Sequence, residues 1–199
     1  MKKVTLIALV FSSLAGFAAP ASADGDFRDW RDRRAQIRDY FNCAFTPAAH
    51  FPGTIVEAAL ATPALEELAN AVVAAGLVDV LNDPDADFTV YAPINEAFGA
   101  IPQSILDGVL AVTDEEGNLV GLQAILTYHV VAGSGRKSDP RRVFNTRIAQ
   151  VDTVQGQSLF FSRDREGTEI NQSNLVSCQP VRTTNGIVYL IDSVFLPQF

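Results

Sequence analysis

From Thr54 onward, apolar positions recur at helical spacing. Thr54 with Glu57 three residues later has the residue types of a capping box, and Ile55, Ala58, Ala59 and Leu60 follow it, which predicts a helix. Thr62-Pro63 predicts the start of a second helix, with proline at its first position and Glu66 as the capping acid. Leu65, Leu68, Ala69, Val72, Val73 and Ala75 line its face, and Gly76 suits the C-terminal cap. A short helix over 77–81 ends in Asn82-Asp83-Pro84-Asp85. Phe88-Thr89-Val90-Tyr91-Ala92 reads as a strand that Pro93 stops, and Asn95-Glu96-Ala97-Phe98 as the first turn of a short helix. Residues 102–110 and 119–128 are predicted helical, with a polar turn over 114–118 between them. After Tyr128-His129-Val130-Val131 the chain changes character, and β-branched runs separated by glycine-rich turns predict strands over 148–154, 158–162, 168–170, 176–181 and 186–191. Asn185-Gly186 is a hairpin signal that sets the strands of Val181 and Ile187 side by side. A helical first half followed by a β-rich second half implies an α+β fold with an antiparallel sheet.

The segment before Thr54 has a different texture. Lys2 and Lys3 precede an apolar run from Val4 to Ala19, and Pro20 leads into Ala21-Ser22-Ala23, a small-x-small pattern. This order predicts a cleaved secretory signal over residues 1–23, with the mature product starting near Asp24. The spacing of Phe27, Trp30, Ile37 and Phe41 then predicts a helix that docks one apolar stripe, within an N-terminal extension and linker over 24–53. The globular domain is expected over 54–199.

Charge narrows the partners. Removing residues 1–23 takes away Lys2 and Lys3 and no acid, moving the formal charge from −8 to −10. That balance opposes binding to nucleic acid or anionic lipid, which need clustered Lys and Arg. No second apolar stretch is long enough to span a bilayer. The two cysteines, Cys43 and Cys178, in an exported chain predict one disulfide closing most of the domain.

Catalytic and metal chemistry find little support. His129 is the one well-placed histidine, no Gly-x-Ser-x-Gly elbow is present, and Ser193 beside Asp192 is an ordinary polar position. Asp83-Pro84-Asp85-Ala86-Asp87 alternates like a calcium loop, but Phe88 and Ile94 stand where that loop needs glycine and glutamate. No His/Cys cluster suits zinc and no glycine-rich loop suits phosphate, so no metal and no cofactor is expected. Asn171-Gln172-Ser173 is a glycosylation acceptor in a eukaryotic secretory pathway. Asp192 and His129, in apolar surroundings, each need a hydrogen-bond partner.

Three segments together resemble the fasciclin domain. They are residues 88–98 (Phe88 to Phe98), the run Leu126-Thr127-Tyr128-His129-Val130-Val131, and the closing run from Asn185 to Pro197. The resemblance covers about residues 54–197 and implies a wedge-like β-sandwich of about seven strands with helices packed around it. It further implies an extracellular or periplasmic, non-enzymatic binding or cell-adhesion module whose partner is a protein or a cell-surface or matrix ligand. A periplasmic small-ligand carrier or sensor with an apolar cleft is the second reading, and a hydrolase or lyase a residual third. The candidate binding residues are Tyr128 and His129 of the Tyr-His motif, with Asn95 and Asp192. Two positions depart from the family pattern: Ile94 stands where threonine is usual, and Tyr189 where many members have histidine, so a ligand scheme using that second histidine does not carry over.

Overall fold

The computed structural model describes residues 43–142, 149–163 and 168–198. The expected signal over 1–23 and the expected helix through Phe27, Trp30, Ile37 and Phe41 lie outside the described residues.

Helices α1 (Ile55–Ala61), α2 (Glu66–Ala74) and α3 (Val78–Leu81) come first. The capping box forms as expected, Thr54 Oγ1 accepting from the Glu57 N–H at 3.3 Å and the Glu57 carboxylate from the Thr54 N–H at 2.9 Å. Thr62 does not cap the next helix. Its hydroxyl turns back to the Ala58 carbonyl at 2.8 Å, and Pro63–Leu65 forms a 3₁₀ turn before α2 begins. The end of α2 matches expectation: Gly76 takes φ +68°, and the Gly76 and Leu77 N–H groups donate to Val73 and Val72. Helices α4 (Asn95–Gly99), α5 (Gln103–Leu110) and α6 (Val120–Tyr128) complete the helical layer.

Nine strands lie among the described residues: β1 (Ala49–His50), β2 (Phe88–Pro93), β3 (Val130–Ala132), β4 (Ala149–Asp152), β5 (Ser158–Arg163), β6 (Thr168–Ile170), β7 (Ser173–Asn174), β8 (Val181–Thr183) and β9 (Gly186–Ile191). They form two sheets, ordered β1-β8-β9-β2-β3 and β4-β5-β6-β7. The α+β architecture stands, while the antiparallel expectation holds for the second sheet and gives way in the first. There β2 runs parallel to β9 and β1 parallel to β8. The reason lies in β2 and β9, which are covered on both faces and so read as continuous apolar runs, the pattern of parallel strands. The strand expected over 176–181 also shifts. Pro180 has no N–H to give a ladder, and pairing begins at Val181 against Val188.

The core has two layers. Val90, Ala92, Val130 and Val188 face the helices and meet Ile55, Leu68, Val72 and Leu126. Tyr91, Val131, Ile187, Tyr189 and Ile191 face the other way and meet Leu159, Phe161 and Ile170 of the second sheet. Gly186 makes the central pairing possible, since a Cβ there would collide with the Phe88 carbonyl. The Asn185 beside it is buried and fully used. Its Oδ1 accepts the Ile55 N–H at 2.9 Å, and its Nδ2 donates to the Leu81 and Asp83 carbonyls, each at 2.9 Å. One side chain thus joins the hairpin to the start of α1 and the end of α3.

Candidate functional site

His129 ends α6 with its side chain 2% exposed. Both ring nitrogens are engaged: Nδ1 lies 2.8 Å from the Ile125 carbonyl, and Nε2 accepts the Phe195 N–H at 2.9 Å. These partners assign the proton to Nδ1. The ring also stacks on Phe195 at 4.7 Å between centroids. Burial lowers its pKa from 6.5 to about 4, outweighing the opposing bond to Ile125. His129 therefore joins the Tyr-His turn to the closing segment as a neutral ring, and it has no surface to present to a partner.

A pH dependence follows. Below pH 6.5 the unfolded chain takes up a proton that folded His129 refuses, so stability falls as pH drops from 6.5 toward 4 and this contribution then levels. The full span is worth about 3 kcal/mol. Urea unfolding at pH 7, 5.5 and 4 measures it. His129→Gln is expected to lower the starting stability and to remove the slope within that window.

Tyr128 is placed differently. Its ring packs edge-on against Phe195, while its hydroxyl reaches the Ser158 carbonyl at 3.2 Å and accepts from Asn171 Nδ2 at 2.8 Å. Asn171 also accepts the Phe160 N–H at 2.8 Å. Asn171 and Gln172 form the two-residue turn between β6 and β7, with φ of 48° and 71°. The glycosylation signal at Asn171 therefore falls on an amide already bound to Tyr128. An open cleft of about 940 Å³ lies against this group, lined by Tyr128, Phe160, Asn171, Gln172, Leu196 and Gln198 among others. Gln172 sits where a turn of this type favours glycine. Gln172→Gly is expected to raise stability by about 1 kcal/mol by relieving the left-handed backbone, read from the unfolding midpoint.

The other two candidates stand at separate places. Asn95 opens α4 and caps α2 across the helical layer, accepting the Glu67 N–H at 3.1 Å and donating to the Pro63 carbonyl at 2.9 Å. Its partners are thus distant in sequence. Asp192 is exposed and collects the hydroxyls of Ser173 and Ser193 and the Asn174 N–H, each at 2.9 Å. Partial desolvation pushes its pKa up, but these hydrogen bonds prevail and hold it below the usual carboxylate value. Ser193 is therefore a donor to Asp192, and His129 is occupied elsewhere, so these side chains do not assemble a nucleophile-base pair.

A buried ionic cluster was missed in the sequence. Asp139 and Arg141 are paired through Nε–Oδ1 at 2.9 Å with both side chains under a tenth exposed, and Arg142 adds a contact at 3.0 Å. Arg141 also donates to the carbonyls of Thr46 at 2.8 Å and Cys178 at 3.1 Å, and lies over the Tyr189 ring at 5.6 Å. Cys43 and Cys178 are disulfide-bonded, so the guanidinium grips the backbone on both sides of the bridge. Desolvation would raise the Asp139 pKa, but the Arg141 and Arg142 partners hold it below normal.

Two apolar hollows lie elsewhere, each about 30 Å³, one between α1 and α2 and one beneath α5 and α6. Each has room for about one water molecule. Among the described residues no group of three His, Cys, Asp or Glu side chains suits a metal ion.

The Fasciclin domain profile matches residues 63–197. The chain belongs to the fasciclin domain family. Among its relatives, an uncharacterized protein of Synechocystis, sll1735, is 36% identical over 71% of this chain and 96% of its own length. The cell surface glycolipoprotein MPB83 of Mycobacterium bovis is 38% identical over 61% of this chain and 48% of its own length. A solved FAS1 domain pair from the insect cell adhesion molecule fasciclin I has 26% identity and a TM-score of 0.48, covering 66% of this chain and 45% of that one. Within this fasciclin domain, Tyr189 at the departing position faces Tyr91 across the sheet and stacks on it at 5.9 Å, beneath Arg141. Burial and the nearby Asp139 push its pKa above the usual tyrosine value. Tyr189 thus serves the buried ionic cluster. Phe195, which organises the Tyr-His turn, carried no signal beyond its place in the closing motif, and Asn185 none beyond the hairpin signal it shares with Gly186.

Proposed function

We propose that this chain is an exported, non-catalytic binding module that attaches to a protein or to a cell-surface or matrix ligand through the face around the Tyr128 cleft. The observation that carries the reading is the pairing, at that cleft, of two half-exposed apolar side chains with a fixed polar floor. Phe160 is 48% exposed and Leu196 46%, beside the Tyr128–Asn171 hydrogen bond. Exposed apolar groups rimmed by polar ones are the usual mark of a contact surface. Export is supported by the leader pattern at residues 1–23, by a disulfide that needs an oxidising compartment, and by a relative described as a cell surface glycolipoprotein. The carrier reading is less favoured, because neither apolar hollow could admit an organic ligand without the helices parting.

The test is attachment. Beads coated with residues 24–199 are expected to bind intact cells of the source organism. Beads carrying Phe160→Ser with Leu196→Ser are expected to lose that binding while keeping the melting temperature. Equal attachment of the two bead types would remove the cleft from the contact surface.

A further inference from the structure

We propose that the Tyr128 cleft takes a neutral carbohydrate, an inference that rests on the cleft as the binding face. The first argument is charge. Among the described residues that line the cleft, none has a charged side chain. The carboxylates bordering it are engaged by its serines: the Ser158 hydroxyl donates to Asp152 at 2.6 Å and that of Ser162 to Glu169 at 3.4 Å. An anionic ligand would give up hydration beside these carboxylates with no cation among the described lining residues to meet it, whereas an uncharged polar ligand needs no counter-charge.

The second argument is shape. Leu159 and Phe161 turn into the core, so the intervening Phe160 points outward, with Ser158 and Ser162 two positions away on the same side of β5. A pyranose ring has one apolar C–H face and a polar hydroxyl rim. A half-exposed aromatic ring between hydroxyls complements both.

The third argument is hydrogen-bonding capacity. The side-chain amides of Gln172 and Gln198 have no partner among the described residues, and Asn171 Nδ2 commits one N–H to Tyr128 and keeps another. A planar amide offers a donor and an acceptor side by side, the arrangement that vicinal hydroxyls satisfy. These groups stand on a fixed frame. The Gln157 amide clamps the Gln198 backbone through bonds of 2.6 and 2.9 Å, and the Asn171-Gln172 turn is held in left-handed backbone. Such pre-ordering lowers the entropy lost on binding. A peptide adding itself as a strand would need a free edge, and β5 is already paired on both sides by β4 and β6.

Calorimetric titration of residues 24–199 with linear trisaccharides of glucose, mannose and galactose tests the proposal, with polygalacturonate as the anionic control. At least one neutral trisaccharide is expected to bind at millimolar concentration or tighter, and polygalacturonate is not. Phe160→Ala is expected to weaken that binding by about tenfold or more, and Gln172→Ala by a smaller factor, both without change in melting temperature. No heat from any neutral trisaccharide, equal binding by Phe160→Ala, or preference for the anionic polymer would overturn it. Repeating the bead assay with free trisaccharide separates the two readings. Attachment that needs Phe160 but ignores the sugar keeps the binding face and rejects the carbohydrate, whereas attachment indifferent to both rejects both.

Discussion

Replacing Cys43 and Cys178 by serine is expected to remove about 5 kcal/mol of stability, because the bridge closes a loop of 135 residues and the unfolded chain regains the entropy of opening it. A single domain has roughly 5–15 kcal/mol in total, so the variant should lie near its folding threshold at ordinary temperature. Denaturant unfolding of the oxidised protein and the double-serine variant measures the difference. A loss below about 1 kcal/mol would mean that the unfolded chain already holds the segments of Cys43 and Cys178 near each other without the bridge.

Arg141→Met is expected to cost about 3–5 kcal/mol, the range for breaking a buried ion pair by removing one partner. Asp139 would keep Arg142 as a partner but lose the bidentate fork, and the Thr46 and Cys178 carbonyls would lose a donor. The pH response separates this from simple loss of packing. In the native protein Asp139 has a lowered pKa, so its contribution is present above the ordinary carboxylate value and fades as pH falls through its folded value. In the variant, burial would act on Asp139 with less opposition and raise its pKa. The gap between variant and native protein should therefore narrow on acidification. Adding Asp139→Asn to Arg141→Met should recover part of the loss at neutral pH. Since Arg141 holds the carbonyl of Cys178, its effect and that of the bridge should not add, with a coupling of about 0.5–3 kcal/mol.

The two effects concern one construction. The guanidinium of Arg141 links the bridge, through the Cys178 carbonyl, to the stacked Tyr91–Tyr189 pair, and the Tyr91 hydroxyl adds a 2.6 Å bond to the Ser138 carbonyl. They anchor the loop after β3 and the segment before β1. Tyr128 and His129 meet the same tyrosine pair through Phe195, whose ring lies 6.3 Å from that of Tyr91. Because Phe160 and Leu196 are half-exposed while Arg141 and Asp139 are buried, substitutions at the cleft's apolar rim are expected to change binding, and those at the buried pair stability.

Much of the fold was legible in sequence because its signals are local. The capping box at Thr54 and Glu57 spans three residues, the turn at Gly76 needs only a left-handed backbone, and the strand over 186–191 announces itself by composition. The disulfide was legible by another route, from a pair of cysteines together with the expectation of export. The candidate site was legible only in part. Tyr128 and His129 stood out as a motif, but their neighbouring positions hid opposite placements. A helix end turns successive side chains in different directions, sending His129 into the core and the Tyr128 hydroxyl to the cleft. Asn95, legible only as part of the first turn of a short helix and as a candidate binding residue, caps a helix begun 29 positions earlier, at Glu66.

What the sequence determined by itself was the order of the helices and of the strands other than β1, β3 and β7, the α+β class, the cysteine pair and the motifs that place the chain in the fasciclin domain family. Only the tertiary structure decided the parallel pairing of β2 with β9, the role of Asn185 as a junction 130 residues from Ile55, and the grip of Arg141 on a carbonyl 95 residues away. It also decided that Phe160 is turned to solvent while His129 is buried. The division has a physical cause. Backbone hydrogen bonds within a turn depend on neighbouring residue types, whereas a buried polar group is satisfied by whatever donors and acceptors folding brings to it, and their identity is not encoded near it along the chain.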